Sequence, residues 1–481
     1  MAEGGRTYAV VGGGVAGLAA ARLLAGLQPV SEASRAAGGA RVVLIEQSRR
    51  LGGKVASGEL AGGPVELGPD QFLRRDPSAE RLCRQLGLGD RLVAPAGGTA
   101  GLFARGELRP LPTGLVLGVP TDLAALAKSG IISQEALAAA RSAATRRRPF
   151  SPGELGLEGD PETKELSAGE ILRPELGDEV VDYLVDPLLG GINAGRVDSL
   201  SLSVTAPGIA KALLRRKDVI PALRSIPSAP RPEGPSFLGL EGGLGALPAA
   251  VARELGAAAV ELWLETRACG LSKSPGGYEL ETEGRSLHCD GVVLATPGGA
   301  TGSLLSGLAP RAAELCSSIA YGDVSLVTFA FEAGSIAFPA GWTGFLVPAR
   351  ERKLMTAATF SSRKWPWMSR AGLELVRVSA GRFGDTRAGE LDDDELAARL
   401  LAELSELSGT TAPAVDRLVK RWPASFPQYR PGHRALIGEI RSLLPAGLAL
   451  AGAALGGIGV PACISSGEAA AEQVLAAPRA A

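Results

Sequence analysis

A glycine-rich turn near the N-terminus has the residue types and the spacing to hold a dinucleotide. The apolar run YAVV leads directly into GGGVAG, and small apolar residues continue behind it as a predicted helix. Gly12 permits the tight turn, Gly14 lets the backbone approach a pyrophosphate, and Gly17 lets the helix pack closely on the strand. Unpaired N–H groups at the start of that helix then meet the phosphate charge. The predicted contacts are Gly12, Gly14, Val15, Ala16 and Gly17, although the glycines alone also suit an ordinary turn.

A second predicted strand ends in the acidic residue that such a turn requires. The strand RVVLI is followed by Glu46, where a carboxylate holds the ribose hydroxyls of the adenosine half. Behind it comes QSRRLGGK, in which an arginine and a second glycine pair follow at the spacing of flavoproteins that bind FAD in an extended form. Nicotinamide dehydrogenases generally lack this pair, so the pattern favours FAD over NAD. It adds four predicted contacts, Gln47, Arg50, Gly52 and Gly53.

The middle and the end of the chain offer further contacts to the same cofactor. The segment from Gly58 to Phe72 is strand-like at its centre and is expected to lie against the flavin. Near the C-terminus a buried strand, a glycine loop and a helix opened by a proline follow one another. The positive end of that helix is predicted to stabilise charge on the flavin pyrimidine while a hydride arrives at N5, although the helix also reads as a simple completion of the sheet. The predicted contacts in these segments are Gly68, Pro69, Asp70, Ala268, Gly452, Gly459 and Val460, and the turn Ala295-Thr296-Pro297 is expected to lead toward them.

Length, charge and cysteine content limit the number of domains, the partners and the compartment that can be expected for this protein. At 481 residues the chain is expected to hold two or three domains. A formal charge of -1 predicts no nucleic-acid partner. The five cysteines are scattered without a CxxC pair, which predicts neither a metal site nor disulfides and favours a cytoplasmic protein. The N-terminus lacks the features of a secretory signal.

The elements that position these residues predict an α/β protein, α+β overall. Its discontinuous Rossmann-like FAD-binding domain is interrupted by an inserted, mainly helical domain and by a mixed-sheet substrate domain. In the insertion, Val181, Leu184, Val185 and Leu188 are predicted to share one helix face. A surface loop is predicted between Gln28 and Ala40. The predicted boundaries are 1–90, 236–298 and 441–481 for the FAD-binding domain, 91–235 for the helical insertion and 299–440 for the substrate domain.

With these motifs collected, the chain resembles the protoporphyrinogen and coproporphyrinogen oxidases of haem biosynthesis, within the wider group of FAD amine oxidases and phytoene desaturases. The segments PLLGGINAG and FPQYRPGH are typical of the porphyrinogen branch. One departure is Asn193, where many relatives carry an aromatic residue. The other matching segments include VVGGGVAGLAAA, EQSRRLGG, ELGPDQF, GLEGGLGALP, GFLVP, RWPASFPQYRPGH and GIGVPACI.

The resemblance implies oxidation of a porphyrinogen to a porphyrin by successive hydride transfers to FAD, with O₂ reoxidising the flavin to give H₂O₂. It is closest to the soluble, Gram-positive type, which favours coproporphyrinogen III over the alternative, protoporphyrinogen IX. The flavin N5 carries the chemistry, so no side chain is predicted to be catalytic, and His433 is expected to be structural. The resemblance adds Trp422 to the cofactor contacts. It implies apolar contacts to the substrate ring at Gly191, Phe345 and Leu346, and cations for its carboxylates at Arg75 and Arg196.

Two other functions stay open at this point. A flavin amine oxidase is disfavoured because the loop AGAALGGIGVPAC lacks the paired aromatic residues that would enclose an amine. A non-enzymatic flavin-binding partner of the haem pathway is compatible with every motif. Contact with a membrane surface or with a ferrochelatase-type partner is likewise left open.

Overall fold

A computed structural model describes residues 5–27, 39–143, 148–158, 163–215, 219–226 and 234–478. The surface loop predicted between Gln28 and Ala40 lies almost wholly outside the described residues. Within the described chain, several separate sheets and a group of helices can be followed.

The first sheet is formed by five parallel strands from widely separated parts of the chain. The three inner strands are buried on both faces, because their residues alternate between two hydrophobic cores. Tyr8 and Val10 belong to one core, and Ala9 and Val11 belong to the other. In spatial order the strands are Glu261–Trp263, Arg41–Ile45, Thr7–Val11, Gly291–Leu294 and Leu448–Leu450. This sheet confirms the predicted α/β class and its discontinuous Rossmann-like domain.

Helices cover both faces of this nucleotide sheet. One face is packed by Val15–Leu24, Ser78–Gln85, Ala246–Ala257 and the C-terminal helix Val460–Ala476. The other face is packed by Gly298–Leu305, Pro310–Ser317 and His433–Leu443, and by the antiparallel strands Ala268–Ser274, Gly277–Thr282 and Ser286–Cys289. The sequence assigned these three helices mainly to the substrate domain, but they pack against the nucleotide sheet and share a hydrophobic core with it.

The second large sheet has seven strands and is mixed. Its strands in spatial order are Asp416–Pro427, Tyr321–Glu332, Leu373–Ala380, Met355–Phe360, Trp342–Leu346, Thr99–Ala104 and Glu107–Pro110. The last two were predicted to lie in the helical insertion, and this assignment is wrong because they pair with the edge of the sheet. One face of the sheet packs on the helix Asp393–Ser408, which begins with a capping box at Asp392 and Glu395.

The helical region has its own core, centred on Leu172, Leu184 and Leu202. Its helices are Leu123–Ser129, Gln134–Ala143, Ala168–Leu176, Asp178–Val180, Leu202–Thr205, Pro207–Arg215 and Val219–Arg224, and a π-helix spans Val181–Gly190. Pro187 has no N–H to complete an α-helical ladder at that point. The wider turn shifts the buried face by one residue, so Leu189 enters the core in place of the predicted Leu188.

Shorter elements connect these units. The strands Ser57–Leu60 and Gly63–Glu66 form a hairpin, and Phe72–Leu73, Phe237–Leu240 and Leu92–Val93 form a small sheet. The strands Leu115–Val116 and Val119–Pro120 form a second short hairpin, and Ser361–Lys364 is a single helical turn. Single 3₁₀ turns occur at Gly89–Arg91, Val197–Ser199, Ala349–Glu351, Pro366–Met368 and Ala453–Leu455.

Candidate functional site

A cavity of about 640 Å³ lies at the carboxyl ends of the parallel strands, where the nucleotide sheet meets the seven-stranded sheet. Open α/β sheets bind their ligands at this edge. Segments from the beginning, middle and end of the chain all reach it. Of the predicted cofactor contacts, the lining includes Gly12, Gly14, Val15, Ala16, Glu46, Gln47, Gly52, Gly53, Gly68, Pro69, Ala268, Trp422, Gly452 and Val460.

The first glycine turn has a shape that only small residues can produce. Gly12 has φ +107°, and a Cβ at that position would lie 2.6 Å from the carbonyl oxygen of Ala295. A Cβ on Gly17 would collide with the carbonyl oxygen of Gly12, so the helix is packed against the strand as predicted for this glycine. Around Gly14, by contrast, a Cβ would meet nothing within 4 Å. The protein therefore leaves open space beside Gly14, on the side that a pyrophosphate would occupy.

Glu46 is held in place by the turn that it faces. Its Oε2 accepts the N–H of Gly13 at 2.7 Å, and its Oε1 accepts the N–H of Ser48 at 2.9 Å. The carboxylate is thus oriented at the end of its strand before any ligand arrives. This arrangement fits the ribose of an adenosine group.

The second glycine pair closes onto the first turn. The N–H of Gly52 donates to the oxygen of Gly13 at 2.7 Å, and a Cβ on Gly53 would lie 3.1 Å from the Cα of Gly14. Arg50 does not line the cavity. Its guanidinium donates to the carbonyls of Leu51 and Gly53 and lies 5.9 Å from the ring centroid of Trp422. Arg50 therefore stabilises the loop through its backbone carbonyls, from outside the cavity.

Asp70 departs from its predicted role as a cofactor contact. Its carboxylate is buried, accepts hydrogen bonds from Lys364 Nζ at 2.8 Å and Trp365 Nε1 at 3.1 Å, and lies 3.4 Å from Arg377 Nη2. Burial alone would raise the pKa of Asp70, but the two cations together hold it well below its usual range. Asp70 therefore balances buried positive charge and is not among the residues that line the cavity.

The C-terminal helix presents its first turn to the cavity. Val460 and Cys463 line it, and Gly459 precedes the helix without a side-chain cap. N–H groups of this turn are therefore available to a negatively charged ligand. The helix lies close to the first glycine turn, since a Cβ on Gly467 would collide with the backbone of Ala16.

Lys54 and Arg377 are among the lining residues that the sequence did not predict. Lys54 follows the second glycine pair, and burial lowers the pKa of its ammonium group, which faces Cys463. Arg377 lines the cavity from the seven-stranded sheet and donates to the carbonyl of Gly68 at 3.0 Å. The lysine stood in the motif LGGK without being singled out, whereas no local signal marked the arginine.

The strand that begins at Ala268 offers backbone groups to the cavity. The strand at Ala268 has an irregular register between Ala268 and Gly270, which leaves part of its backbone unpaired by the neighbouring strand. Trp422 is fixed beside the cavity because its Nε1 donates to the carbonyl of Leu67 at 2.5 Å. Taken together, the open space at Gly14, the oriented Glu46 and the unpaired helix N–H groups fit an extended FAD.

One face of the seven-stranded sheet is uncovered next to this site. Leu326, Ser379, Ala357 and Leu346 are successive partners across four strands, and all four are partly exposed although they lie on inner strands. Leu326 lines the cavity. The predicted substrate contact Leu346 therefore shares a face with the cavity wall. Partly exposed residues on inner strands indicate a chamber above this face.

Phe345, predicted to contact the substrate ring, lies on the other face. Its side chain is 2% exposed and packs near the rings of Phe338 and Phe360, with centroid distances of 6.4 and 6.2 Å. The assignment is wrong for this side chain because neighbouring residues of a strand point to opposite faces.

The other predicted substrate contacts do not line the cavity. Arg75 is exposed at the small three-stranded sheet. Gly191 is exposed at the end of the π-helix, and Arg196 lies a few residues further on with its Nε 3.7 Å from Asp186 Oδ2. Asn193 is buried and donates to the carbonyl of Leu189 at 2.8 Å, so its amide closes the helix end.

His433 is held away from any proton-transfer role. It is 5% exposed, its Nε2 lies 2.8 Å from the carbonyl oxygen of Ala454, and burial lowers its pKa. This contact fixes the 3₁₀ turn next to Gly452, in agreement with the predicted structural role.

Among the described residues, helices long and apolar enough to cross a bilayer are absent.

Comparison with known proteins gives matches over almost the full chain. The sequence profile of flavin containing amine oxidoreductases matches residues 15–475. Coproporphyrinogen III oxidase of Mycobacterium tuberculosis strain H37Rv is 36% identical over 96% of this chain and 95% of the relative. The enzyme of the same name from Bacillus subtilis is 31% identical over 99% of both chains.

Solved structures extend the likeness to the fold. A crystal structure from Exiguobacterium sp. 255-15, provisionally named a protoporphyrinogen oxidase, superposes with a TM-score of 0.83 at 29% identity over 98% of each chain. Putrescine oxidase bound to putrescine superposes with a TM-score of 0.68 at 17% identity, over 98% of this chain and 99% of that structure. The second comparison concerns the fold alone.

Proposed function

The chain belongs to the family of flavin containing amine oxidoreductases, and we propose that within this family it oxidises coproporphyrinogen III to coproporphyrin III. It is an oxidoreductase, and its cofactor is FAD. The observation that supports this substrate most directly is the full-length similarity to bacterial proteins named coproporphyrinogen III oxidase.

The cofactor would be held by backbone more than by side chains. The turn at Gly12 to Gly17 would take the pyrophosphate, Glu46 the adenosine ribose, and the N–H groups that open the C-terminal helix the pyrimidine edge. Bound FAD supplies the hydride acceptor that this chain's own side chains lack.

The remaining protein groups would bind and orient the substrate. The uncovered sheet face combines apolar side chains at Leu326 and Leu346 with the hydroxyls of Thr356 and Ser379, which lie 2.9 Å apart. Such a face suits one side of a large macrocycle built from electron-rich pyrrole rings. Hydride removal from its methylene bridges depends on orientation beside the acceptor more than on a strong base, in keeping with the structural position of His433.

O₂ would take up the electrons after each turnover and leave as H₂O₂. A contact with a membrane surface or with a ferrochelatase-type partner stays a prediction. Protoporphyrinogen IX is the second candidate substrate, supported by the name of the Exiguobacterium structure.

Anaerobic mixing of the purified holoprotein with one reductant at a time tests the proposal. Coproporphyrinogen III is expected to bleach the flavin absorbance fastest, with protoporphyrinogen IX slower and putrescine without effect. Readmission of O₂ should restore the absorbance and release H₂O₂. Bleaching only by putrescine would indicate an amine oxidase, and bleaching by none of the three would favour a non-enzymatic flavin protein.

A further inference from the structure

Two arginines and one buried carboxylate meet where the helical region touches the seven-stranded sheet. Asp186 lies on the π-helix and is 3% exposed. Arg196 is on the loop that leaves this helix, with its Nε 3.7 Å from Asp186 Oδ2. Arg382 follows the strand Leu373–Ala380, and the charges of Asp186 and Arg196 both act on its guanidinium group.

The positive charge of this cluster is not balanced. One oxygen of Asp186 accepts the N–H of Val197 at 2.9 Å, and the other lies beyond hydrogen-bond distance of Arg196. Within the described ranges, no hydrogen bond or close ion pair engages the guanidinium of Arg382. The other carboxylate near it, Asp385, is taken by Arg387 at 2.7 Å. Two guanidinium groups therefore share a single, loosely placed carboxylate.

Arg377, on the strand that precedes Arg382, is a partly buried arginine that does have acceptors. It has Asp70 at 3.4 Å and donates to the carbonyl of Gly68. Arg382 is also largely withdrawn from water, which lowers its pKa, yet it has no acceptor of its own. Desolvating an unpaired charge is costly. An acceptor that arrives from outside the chain would offset this cost.

The cluster is tied to the wall of the main cavity. The N–H of Phe383, next to Arg382, donates to the carbonyl of Ala194 at 2.7 Å. In the same loop the carbonyl of Asn193 accepts from Gln428 Nε2 at 3.1 Å, and this amide also donates to the carbonyl of Phe426. Phe426 lines the cavity. The loop that carries Arg196 is therefore hydrogen-bonded to a segment that lines the cavity, and the cluster lies near this wall.

We propose that Arg196 and Arg382 form a clamp for one carboxylate of the substrate, with the charge of Asp186 reducing the repulsion between the two guanidinium groups. Guanidinium groups bind carboxylates through two parallel hydrogen bonds, which gives the contact direction as well as strength. The inference rests on the proposed function, because the substrate proposed there carries four propionate side chains. It assigns Arg382 a part in substrate recognition and gives Arg196 its partner.

The test compares holoprotein carrying Arg382→Gln or Arg382→Lys with the wild type. The control is Arg311→Gln, which removes the same charge from a side chain that is 59% exposed and paired with Glu439. Binding of coproporphyrin III and of its uncharged tetramethyl ester is followed by porphyrin fluorescence. Arg382→Gln is expected to weaken binding of the acid about tenfold and to raise KM for coproporphyrinogen III similarly, as loss of a charged hydrogen bond predicts.

Further readouts separate recognition from folding. Binding of the ester, kcat and FAD content are expected to stay within about twofold of wild type, since they do not depend on a carboxylate contact. Arg382→Lys should lie between glutamine and arginine because it keeps the charge without the fork. If Arg382→Gln does not fold, Arg196→Gln is measured instead, because that side chain is 44% exposed.

Equal weakening of acid and ester, or no weakening of either, would overturn the clamp. A wild-type protein that neither binds nor oxidises coproporphyrinogen III would refute the proposed function and the clamp with it. A wild type that does both, beside an Arg382→Gln variant with unchanged KM, would refute the clamp alone.

Discussion

Gly14 and Gly17 stand three residues apart and are glycines for different reasons. Gly17 packs so closely that a Cβ would collide with the carbonyl oxygen of Gly12. Gly14 has ordinary extended backbone with φ −68°, and a Cβ there would meet open space. Gly17 is required by the fold itself, whereas Gly14 is required only when a ligand lies beside it.

Substitution of each glycine by alanine separates these roles. Gly14→Ala is expected to leave the apoprotein as stable as wild type and to weaken FAD binding at least about tenfold, because the methyl group takes the space of the pyrophosphate. Gly17→Ala should lower the melting temperature of the apoprotein itself. Thermal melts and FAD titrations of both apoproteins measure this. Equal FAD affinity of Gly14→Ala and wild type would contradict the assignment.

At the level of elements, two buried carboxylates join pieces that are distant in sequence. Glu66 ends a hairpin strand and accepts the N–H of Leu244 at 2.5 Å and the hydroxyl of Ser57 at 3.0 Å. It thereby ties the hairpin to the turn before the helix Ala246–Ala257. Asp70 joins the segment after this hairpin to Lys364 and to Arg377 of the seven-stranded sheet.

The stability of the protein should depend on pH through Glu66. Burial raises the pKa of Glu66 to about 7, above its value of about 4.3 in an unfolded chain. Its contribution to stability is therefore complete below about pH 4 and is lost as the pH rises through about 7. Glu66→Gln should reduce the fall in melting temperature between pH 5 and pH 8. The exposed Glu59→Gln in the same hairpin is the control, and an unchanged pH profile for Glu66→Gln would be inconsistent with this role.

Asp70→Asn is expected to destabilise the protein by about 3–5 kcal/mol, because it leaves two buried cations with one fewer partner. The pKa of Asp70 is depressed, so its contribution is present at neutral pH and is lost only as the pH falls below about 3.9. Urea unfolding at pH 7, with the exposed Asp90→Asn as the control, measures the difference. A loss no larger than that of the control would show that Lys364 and Arg377 find other acceptors.

At the scale of the whole molecule, the cavity joins strands and helices that are brought together only by folding. Its lining runs from Val11 to Cys463 and includes both large sheets. A ligand that binds across these elements stabilises the folded chain against the unfolded one. The cofactor should therefore act as a structural link between the nucleotide sheet and the seven-stranded sheet.

Removal of FAD is expected to lower the melting temperature. With free FAD at about one hundred times its dissociation constant, the gain is about 2.7 kcal/mol, which corresponds to a shift of roughly 3 °C for a chain of 481 residues. Melts of the apoprotein at increasing FAD concentration measure this, with NAD at equal concentration as the control. Equal shifts from both dinucleotides would contradict the preference for FAD.

The cofactor side of the site was largely readable because its signals are local. The turn at Gly12 and the acidic residue at the end of the next strand are short-range patterns with a physical cause. The substrate contacts could not be predicted from such local patterns. Phe345 and Leu346 are neighbours in sequence, yet the strand places them on opposite faces, and which face meets the cavity depends on a helix some fifty residues further along the chain.

The amino-acid sequence by itself determined the α/β class, the dinucleotide turns and the choice of FAD, because glycine spacing and strand-end charge act within a few residues. Only the tertiary structure decided that Asp70 balances buried cations, that two strands of the helical insertion join the seven-stranded sheet, and that Arg196 and Arg382 share one carboxylate. The physical reason is that charge balance and exposure are sums over neighbours in space. These neighbours lie up to about three hundred residues apart along the chain.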